Sequence, residues 1–427
     1  MRYIRQALAL MREERLYSAM YIAGTALAVA FVMMIAEVYY VMVADIAPEV
    51  RRSTTYYQDH LTLKNNEDFL QPITHEMYRD LFQTMKTPES MTAELELWSN
   101  VSFFVTMPDS IHEQSTRVKM TDANFFHFYQ FRFIEGAPFA KDDFDNGRNN
   151  VVITEQLRDQ IFGHEQKGLG QTLTLNQRLF RICGVVETPS TLTDKCVADI
   201  WMPYTYNGLM RDVGYVLDQP LDLTISVPDN KRDAFMQELK DVEARYNAVH
   251  KDEPVIIGDR IKSHYEQVWK GVNNIFDTWD ENLFWYITPA ALLLLLVPAL
   301  NLSGMVASRM ERRLPEIAIR KTFGANRRTL LGEVMMENLV LTIIGGIVGL
   351  CLAWTALYGW RDWVFDLFSS NYRIYGTVPL LKGEMFFGPA VFLIALTVCC
   401  VLNVLAATLP AWFSLRKPIV ESMSLKK

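Results

Sequence analysis

The stretch Asn301–Glu337, NLSGMVASRMERRLPEIAIRKTFGANRRTLLGEVMME, is strongly basic, and an apolar run long enough to cross a bilayer lies on each side of it. Lys and Arg resist translocation, so a short basic link between two spans is expected on the cytoplasmic side of a membrane. Glu316 and Arg320 lie one helical turn apart with the acid first, which favours a helix. Gly324 can end that helix as a left-handed residue, and Asn326 can cap the next one. This order predicts two helices, where the alternative is a merely solvated basic loop.

Four apolar segments reach the ~20 residues that a helix needs to cross roughly 30 Å of hydrocarbon. They cover residues 19–43, 283–308, 337–360 and 386–413 of the 427-residue chain. Arginines precede the first segment and basic residues follow the fourth, so both termini and the basic link are expected on the cytoplasmic side. The sequence therefore predicts four transmembrane helices.

This topology assigns a place to every remaining segment. A secretory signal peptide is the alternative for the first apolar run, but that run is too long for one and no small-residue cleavage site follows it. The segments outside the spans are a cytoplasmic amphipathic helix (1–18), an extracytoplasmic domain (46–282), a cytoplasmic link (309–336), an outer loop (361–385) and a cytoplasmic tail (414–427).

Two features of the third apolar segment concern its contacts with other helices. Gly345 and Gly349 form a small-xxx-small pair that permits close helix approach, although ordinary glycine enrichment in membrane helices explains them equally well. Glu337, at the inner end of the segment, has three interpretations, which are an ion pair with Arg320, an ion pair with Arg327, and exposure to water. The sequence alone does not choose among them.

The extracytoplasmic segment, residues 46–282, carries more acidic than basic residues, whereas the rest of the chain is basic. Neither pattern indicates nucleic-acid binding, and an acidic surface mostly provides solubility. Strand and helix patterns alternate at both ends of this segment, which indicates α/β units. Between them, over residues 115–205, strand patterns dominate. The predicted fold is a membrane α-helical protein with an α+β outer domain, in which an inserted β-rich subdomain splits an α/β part.

The chain shows no residue pattern for catalysis or metal binding. It has no G-x-x-x-x-G-K-[ST] phosphate loop, no H-E-x-x-H zinc motif and no G-x-S-x-G nucleophile elbow. Its seven histidines are scattered without metal-ligand spacing. Cys183 and Cys196 are a candidate disulfide in the outer domain, with free thiols as the alternative. We expect no catalytic residue, no metal and no cofactor in this polypeptide.

The segment Glu311–Ala325, ERRLPEIAIRKTFGA, resembles the cytoplasmic signature of FtsX/MacB-type permeases of ABC systems. That signature reads roughly E-R-x-x-E-I-G-I-R-K-x-x-G-A and is followed by a span that opens with Glu. The residues that match it are Arg313, Glu316, Ile317, Ile319, Arg320, Lys321, Gly324, Ala325 and Glu337. The residues that depart from it are Glu311, which lies one place earlier than the signature's first acid, Pro315, Ala318 and Phe323.

Two further regions are similar to the same family. The phrases that resemble the family's middle region are FIEGAPF (Phe133–Phe139), NNVVIT (Asn149–Thr154) and FRICGVV (Phe180–Val186). The residues that match its C-terminal pattern are Pro410, Ala411, Ser414, Pro418 and Ile419, with Met423 where Leu is usual. The resemblance covers the last third of the chain well and the middle loosely.

The resemblance implies a permease subunit of the cell inner membrane with its large domain in the periplasm. Such subunits form homodimers or heterodimers with a paralogous permease, and a separate cytoplasmic ABC ATPase, which binds the ATP, docks on the link. They serve efflux, lipoprotein release or mechanical control of periplasmic or outer-membrane partners. Within the link, Ile317, Ile319 and Phe323 would supply apolar contact. The other ATPase-coupling positions are Glu311, Arg313, Glu316, Arg320, Lys321, Gly324 and Ala325.

A membrane sensor is the main alternative function, because receptors also place a folded outer domain between two spans. A sensor needs a cytoplasmic output domain, and the link Arg309–Glu333 is too short to fold as one. A sensor would also leave the third and fourth spans without a purpose. A structural scaffold for an envelope complex, which differs from a permease in lacking ATP-dependent motion, is the other alternative.

Overall fold

The computed structural model describes residues 13–95, 102–107, 112–190, 192–206, 220–268, 303–304, 306–368 and 389–416. The chain divides into two compact units. We call them the helical unit (Met1–Val41, Thr278–Phe365 and Gly383–Lys427) and the sheet unit (Met42–Asp277 and Asp366–Lys382).

The described helices alternate with strands in the middle of the chain and stand alone at both ends. In chain order they are α1 (Arg15–Val43), α2 (His75–Met77), α3 (Phe125–Phe128), α4 (Lys141–Asp145), α5 (Glu155–Phe162), α6 (Arg232–Val249), α7 (306–322), α8 (Arg327–Phe368) and α9 (Pro389–Arg416). A π-helical turn over Tyr78–Phe82 continues α2.

All described strands lie in the sheet unit. They are β1 (Thr55–Gln58), β2 (His60–Leu63), β3 (Asn66–Pro72), β4 (Ser90–Leu95), β5 (Phe103–Thr106), β6 (Glu113–Thr116), β7 (Val118–Thr121), β8 (Phe133–Gly136), β9 (Asn150–Thr154), β10 (Thr172–Leu175), β11 (Arg178–Val186), β12 (Ile200–Pro203), β13 (Leu221–Ser226), β14 (Val255–Ile256) and β15 (Lys262–Ser263).

Three described helical stretches are long and apolar enough to cross a membrane. They are Arg15–Val43, Arg328–Trp360 and Phe392–Phe413, and they fall on the first, third and fourth predicted spans. Most of the second predicted span, 283–308, lies outside the described residues, as do 1–12 of the predicted amphipathic helix and 417–427 of the tail. Helix α8 continues to Phe368, so the outer loop predicted from residue 361 begins later than expected, and 369–385 lie outside the described residues.

Glycines bring α1 and α8 close together within the helical unit. A Cβ added to Gly345 would lie 2.8 Å from the Thr25 Cβ, and one added to Gly349 would lie 2.6 Å from the Ala26 carbonyl oxygen. Both distances are too short for any larger residue without movement of α1. The structure therefore gives these two glycines a packing role.

Most of the described strands form one twelve-stranded mixed sheet. Its order is β15-β1-β13-β4-β7-β12-β9-β11-β10-β5-β6, and β8 pairs with β11 off this path. Strand β11 runs parallel to β9 and β12 runs parallel to β7, whereas the other pairings are antiparallel. A second sheet has the order β14-β2-β3.

The predicted insertion, residues 115–205, extends the sheet of the α/β part. The two parts meet where Glu94 of β4 pairs with Thr121 of β7. Strand β5, which precedes the insertion in sequence, pairs with β10 at the far end. Proximity in sequence therefore does not decide which part of the sheet a strand joins.

The core of the sheet unit follows the predicted apolar patterns. The buried residues of α6 are Phe235, Leu239 and Val242, and they join the main core beneath the sheet. Thr154 caps α5 by accepting a hydrogen bond from the Leu157 amide at 3.2 Å.

The candidate disulfide between Cys183 and Cys196 is absent, because both residues carry free thiols. The Cys183 thiol donates to the Val151 carbonyl at 3.2 Å, and Cys196 is fully buried in an aromatic cluster that includes Trp201. Burial raises the pKa of both thiols, that of Cys183 to about 12, so thiolate chemistry is disfavoured at either site. Both act as small core residues.

Candidate coupling surface

Helix α7, at the centre of the basic link, has one buried apolar face. Its buried residues Val306, Met310, Leu314 and Ile317 recur at helical spacing. Three of them, Val306, Met310 and Ile317, pack in one cluster of the helical unit together with Tyr21, Leu330, Leu341, Ala407 and Ala411. Helix α7 is thus part of the folded helical unit and not a tether.

A tight turn joins α7 to α8. Gly324 has φ +88°, a left-handed conformation that glycine adopts without a Cβ penalty. The Gly324 amide donates to the Lys321 carbonyl and the Ala325 amide donates to the Arg320 carbonyl, both at 3.0 Å, which is a Schellman motif. The Asn326 side chain accepts from the Arg328 amide at 3.3 Å and so caps α8. These are the end and start that the sequence predicted.

Ion pairs tie α7 to the first turns of α8. Arg320 contacts Glu316 on its own helix at 2.7 Å and Glu333 on α8 at 2.9 Å. Arg313 reaches Glu337 at 3.0 Å. Such a set of pairs between α7 and the start of α8 restricts how the turn can bend, although each exposed pair contributes only about 0.2–1 kcal/mol. We call α7, the turn and the first turns of α8 the coupling hairpin.

A buried arginine joins the coupling hairpin to the start of α1, which sequence reasoning missed. Arg309 is 7% exposed, forms a 2.7 Å ion pair with Glu14, and pairs with Glu337. Its guanidinium also lies 4.4 Å from the centre of the Tyr17 ring. Glu337 therefore pairs with Arg309 and Arg313, whereas Arg320, one of the two partners that the sequence offered, pairs with Glu316 and Glu333. The side chain of Arg327, the other one, lies outside the described residues. The four-residue spacing of Arg309 and Arg313 was the signal available in the sequence.

The three apolar residues predicted to contact an ATPase differ in how exposed they are to solvent. Ile317 is 8% exposed because it belongs to the core of the helical unit, so it offers no surface for docking. Ile319 is 52% exposed and Phe323 is 88% exposed, on the side of α7 away from that core and at its end. Glu311 and Thr322 are exposed as well. The available apolar surface is therefore Ile319 and Phe323.

The geometry of the coupling hairpin suits contact with a protein better than bond-making chemistry. A large exposed aromatic residue at the end of a folded element is typical of a protein docking site. Among the described residues, no group of His, Cys, Asp and Glu could hold a metal ion. The hairpin is folded, and the ion pair between Arg309 and Glu14 holds it to the start of α1.

Two family models match the chain. The MacB-like periplasmic core domain matches residues 18–242, and the FtsX-like permease C-terminal domain matches residues 290–419. The first match alone covers more than half of the chain. The chain belongs to the FtsX/MacB-type ABC transporter permeases. The sheet unit of the permease is thus a MacB-like periplasmic domain with a mixed sheet.

The permease is similar to longer proteins from several bacteria. It is 23% identical over 333 residues to the macrolide export ATP-binding/permease protein MacB of Campylobacter fetus, which covers 77% of this chain and 45% of that protein. It is 23% identical over 258 residues to the protein of the same name from Photorhabdus laumondii, covering 58% and 37%. The permease thus spans less than half the length of these relatives.

A solved periplasmic region is also similar to the permease. The crystal structure of the periplasmic region of MacB from Actinobacillus actinomycetemcomitans aligns with 52% of this chain and 94% of that chain. The alignment has a TM-score of 0.38 and 16% sequence identity.

Proposed function

We propose that this permease couples ATP hydrolysis by a separate cytoplasmic ABC ATPase to motion of its periplasmic domain. The observation that carries the proposal is the coupling hairpin, a folded element of the helical unit whose exposed end presents Ile319 and Phe323. A slack link could not transmit displacement, whereas a hairpin closed by a Schellman turn and cross-helix ion pairs can.

The ATPase belongs to a partner in this proposal. The 427-residue sequence has no phosphate-binding G-x-x-x-x-G-K-[ST] loop, so ATP would bind on the other chain and this permease would hold no cofactor. The relatives named above combine an ATP-binding and a permease function in their names, and the permease spans less than half of each.

The proposed setting is the cell inner membrane. Four spans with the coupling hairpin in the cytoplasm and the sheet unit in the periplasm agree with the positive-inside rule. The subunit would pair with a second copy or with a paralogous permease. Efflux, as in the names of the macrolide exporters, lipoprotein release and mechanical action on a periplasmic or outer-membrane partner are the roles that such a subunit could serve.

Replacing Phe323 by Asp tests the docking site. The variant should insert and fold like wild type because Phe323 is 88% exposed, yet it should lose the ATPase that co-purifies with the wild-type chain in the same detergent. Truncating an interface hot spot costs about 2 kcal/mol or more, a loss of roughly 30-fold in affinity. Titration of the purified ATPase onto immobilised permease measures that loss.

Two control variants separate docking from general damage. Phe323→Leu keeps an apolar contact and should retain most of the binding. Asn326→Asp adds the same charge beside the turn at a position where Asp is a good helix cap, and should bind normally. Unchanged ATPase affinity in Phe323→Asp would refute the docking site, and co-purification of a kinase or cyclase instead would favour a sensor.

A further inference from the structure

The first and last described segments of the sheet unit are joined by a pair of short strands. The unit begins at Met42, in the last turn of α1, and this part of it is described as far as residue 268. Strand β1, near the start of the unit, pairs with β15 through Tyr56 with Ser263 and Tyr57 with Lys262. Separation of these two segments must therefore break this short strand pair.

His264, the residue after β15, bridges the strand pair and the end of α1. Its Nε2 lies 3.0 Å from the Met42 carbonyl oxygen, and its Nδ1 lies 2.9 Å from the Tyr57 hydroxyl. A carbonyl oxygen only accepts, so Nε2 carries the proton, Nδ1 is the acceptor and the Tyr57 hydroxyl donates to it. The neutral imidazole thus satisfies both partners.

A second proton on this ring would break the arrangement. Protonated Nδ1 can only donate, so the Tyr57 hydroxyl would lose the acceptor for its own proton. Both side chains are 9% exposed, and an unsatisfied buried hydroxyl together with a new buried charge is unfavourable. The imidazole at this position is therefore compatible with one protonation state.

The charged groups around His264 are engaged with other partners, so none of them is a dedicated counter-ion for a protonated imidazole. Arg52 donates to the Ala44 carbonyl at 3.2 Å and to the Leu192 carbonyl at 2.7 Å, and its Nε pairs with Glu49 at 2.7 Å. The acids and cations that face His264 and Tyr57 lie on the segment before β1, on the 192–196 loop and on the segment around β15. They are Asp45, Glu49, Arg52, Asp194, Lys195, Lys262 and Glu266. The carboxylate of Asp45 accepts from Ser53, that of Glu49 accepts from Arg52 and the Lys195 amide, and that of Glu266 accepts from Ser263, so each has a partner other than the imidazole.

We propose that His264 is a proton-sensitive latch, which fastens the end of α1 to the paired strands β1 and β15 while neutral and releases them when protonated. The proposal goes beyond the coupling of ATP hydrolysis and does not depend on an ATPase. It assigns to one residue the pH dependence of the contact between Met42 and the paired strands β1 and β15.

The direction of the pH dependence follows from the environment. Burial, and after it the Arg52 charge, lower the pKa of His264 below the ordinary value of 6.5, against the smaller opposing effects of the Met42 carbonyl, Glu49 and Asp45. His264 therefore binds a proton less tightly when the contact with Met42 and Tyr57 is intact than when the β1–β15 pair is open. The stability of this contact is complete above pH 6.5 and falls as the pH drops below that value.

Hydrogen exchange of the full-length protein in lipid nanodiscs tests the latch. The readout is the protection of the amides in β1 and β15 at pH 7.5, 6.5 and 5.5, with labelling times scaled for the intrinsic pH dependence of exchange. In the wild type, opening of this pair should increase below pH 6.5 by at most about tenfold per pH unit, the limit for one proton. Protection that stays constant to pH 5.5 would overturn the proposal.

Three variants make the test specific to His264. In His264→Gln the amide can donate to Met42 and accept from Tyr57 without titrating, so the acid response should disappear. His250→Gln, at an exposed histidine of the same unit, should respond like wild type. Tyr57→Phe removes the donor that favours neutral imidazole, which brings the folded pKa of His264 closer to 6.5, so the acid response should become smaller. An acid response that persists in His264→Gln, or one that keeps its full size in Tyr57→Phe, would refute the latch.

Discussion

At the level of single residues, two buried acids of the sheet unit titrate in opposite directions because their neighbours differ. Burial disfavours the Glu94 carboxylate, but Lys119 at 2.5 Å and Lys195 at 2.8 Å outweigh it and lower the pKa to about 2. Asp122 has no cationic partner among the residues that the structure describes. Burial raises the pKa of Asp122 to about 6, although the hydroxyls of Thr92 and Tyr78 donate to it at 2.6 and 3.0 Å.

Replacing Asp122 by Asn should therefore remove a pH dependence of stability. The folded state holds the Asp122 proton more tightly than the unfolded state, so this group stabilises the fold in acid and the gain is lost as the pH rises from 3.8 to about 6. Between pH 7 and pH 5 the wild type should gain about 1 kcal/mol relative to Asp122→Asn. Denaturant-dependent labelling of the buried Cys196 thiol in the full chain measures this difference, and Asp229→Asn, at an exposed site, should show none. A constant gap between wild type and Asp122→Asn would contradict the assignment.

At the level of elements, local sequence was sufficient to predict the turn of the coupling hairpin but not the contacts of the hairpin with the other helices. Gly324 and Asn326 mark the turn because left-handed φ and N-capping are short-range properties. The motif alone did not predict that Ile317 is buried and Ile319 exposed, because it does not say which face of α7 packs against the other helices. The contact of Arg309 with Glu14 joins residues far apart in the chain, and no local pattern predicts such a pair.

The contact between α1 and α8 can be tested with two glycines of the same helix. In Gly349→Ala the new Cβ would meet the Ala26 carbonyl, so the helices must separate, at a cost of roughly 1–3 kcal/mol. Gly359→Ala is the matched control, because a Cβ there has no neighbour within 4 Å, and better helix propensity should make it neutral or slightly stabilising. The thermal midpoint of the monodisperse fraction in detergent reports both effects. Equal midpoints for the two variants would show that α1 and α8 are not in close contact.

At the level of the whole molecule, the sequence predicted the individual elements better than the way they pair. Apolar length located three described helices that are long and apolar enough to cross a membrane, and alternation located most strands within a few residues. The sheet order was beyond reach, because β13 pairs with both β1 and β4 across long stretches of chain. Which strands pair, and in which register, depends on how their apolar faces fill the shared core. The sequence shows which face of each strand is apolar but not which other strand that face packs against.

The orientation of the two units relative to a membrane is the prediction on which the proposed function depends most. Asp229→Cys in the sheet unit and Thr322→Cys in the coupling hairpin both replace exposed side chains, so their reactivity reports the side of the membrane and not burial. Because Lys and Arg favour the cytoplasm, an impermeant maleimide should label Asp229→Cys in intact spheroplasts at least about tenfold faster than Thr322→Cys. Both should react equally after detergent permeabilisation, with the unsubstituted chain giving the background of its five native cysteines. Labelling of Thr322→Cys in intact spheroplasts would place the hairpin outside, where no ATP-driven partner could reach it, and the proposed coupling would fail.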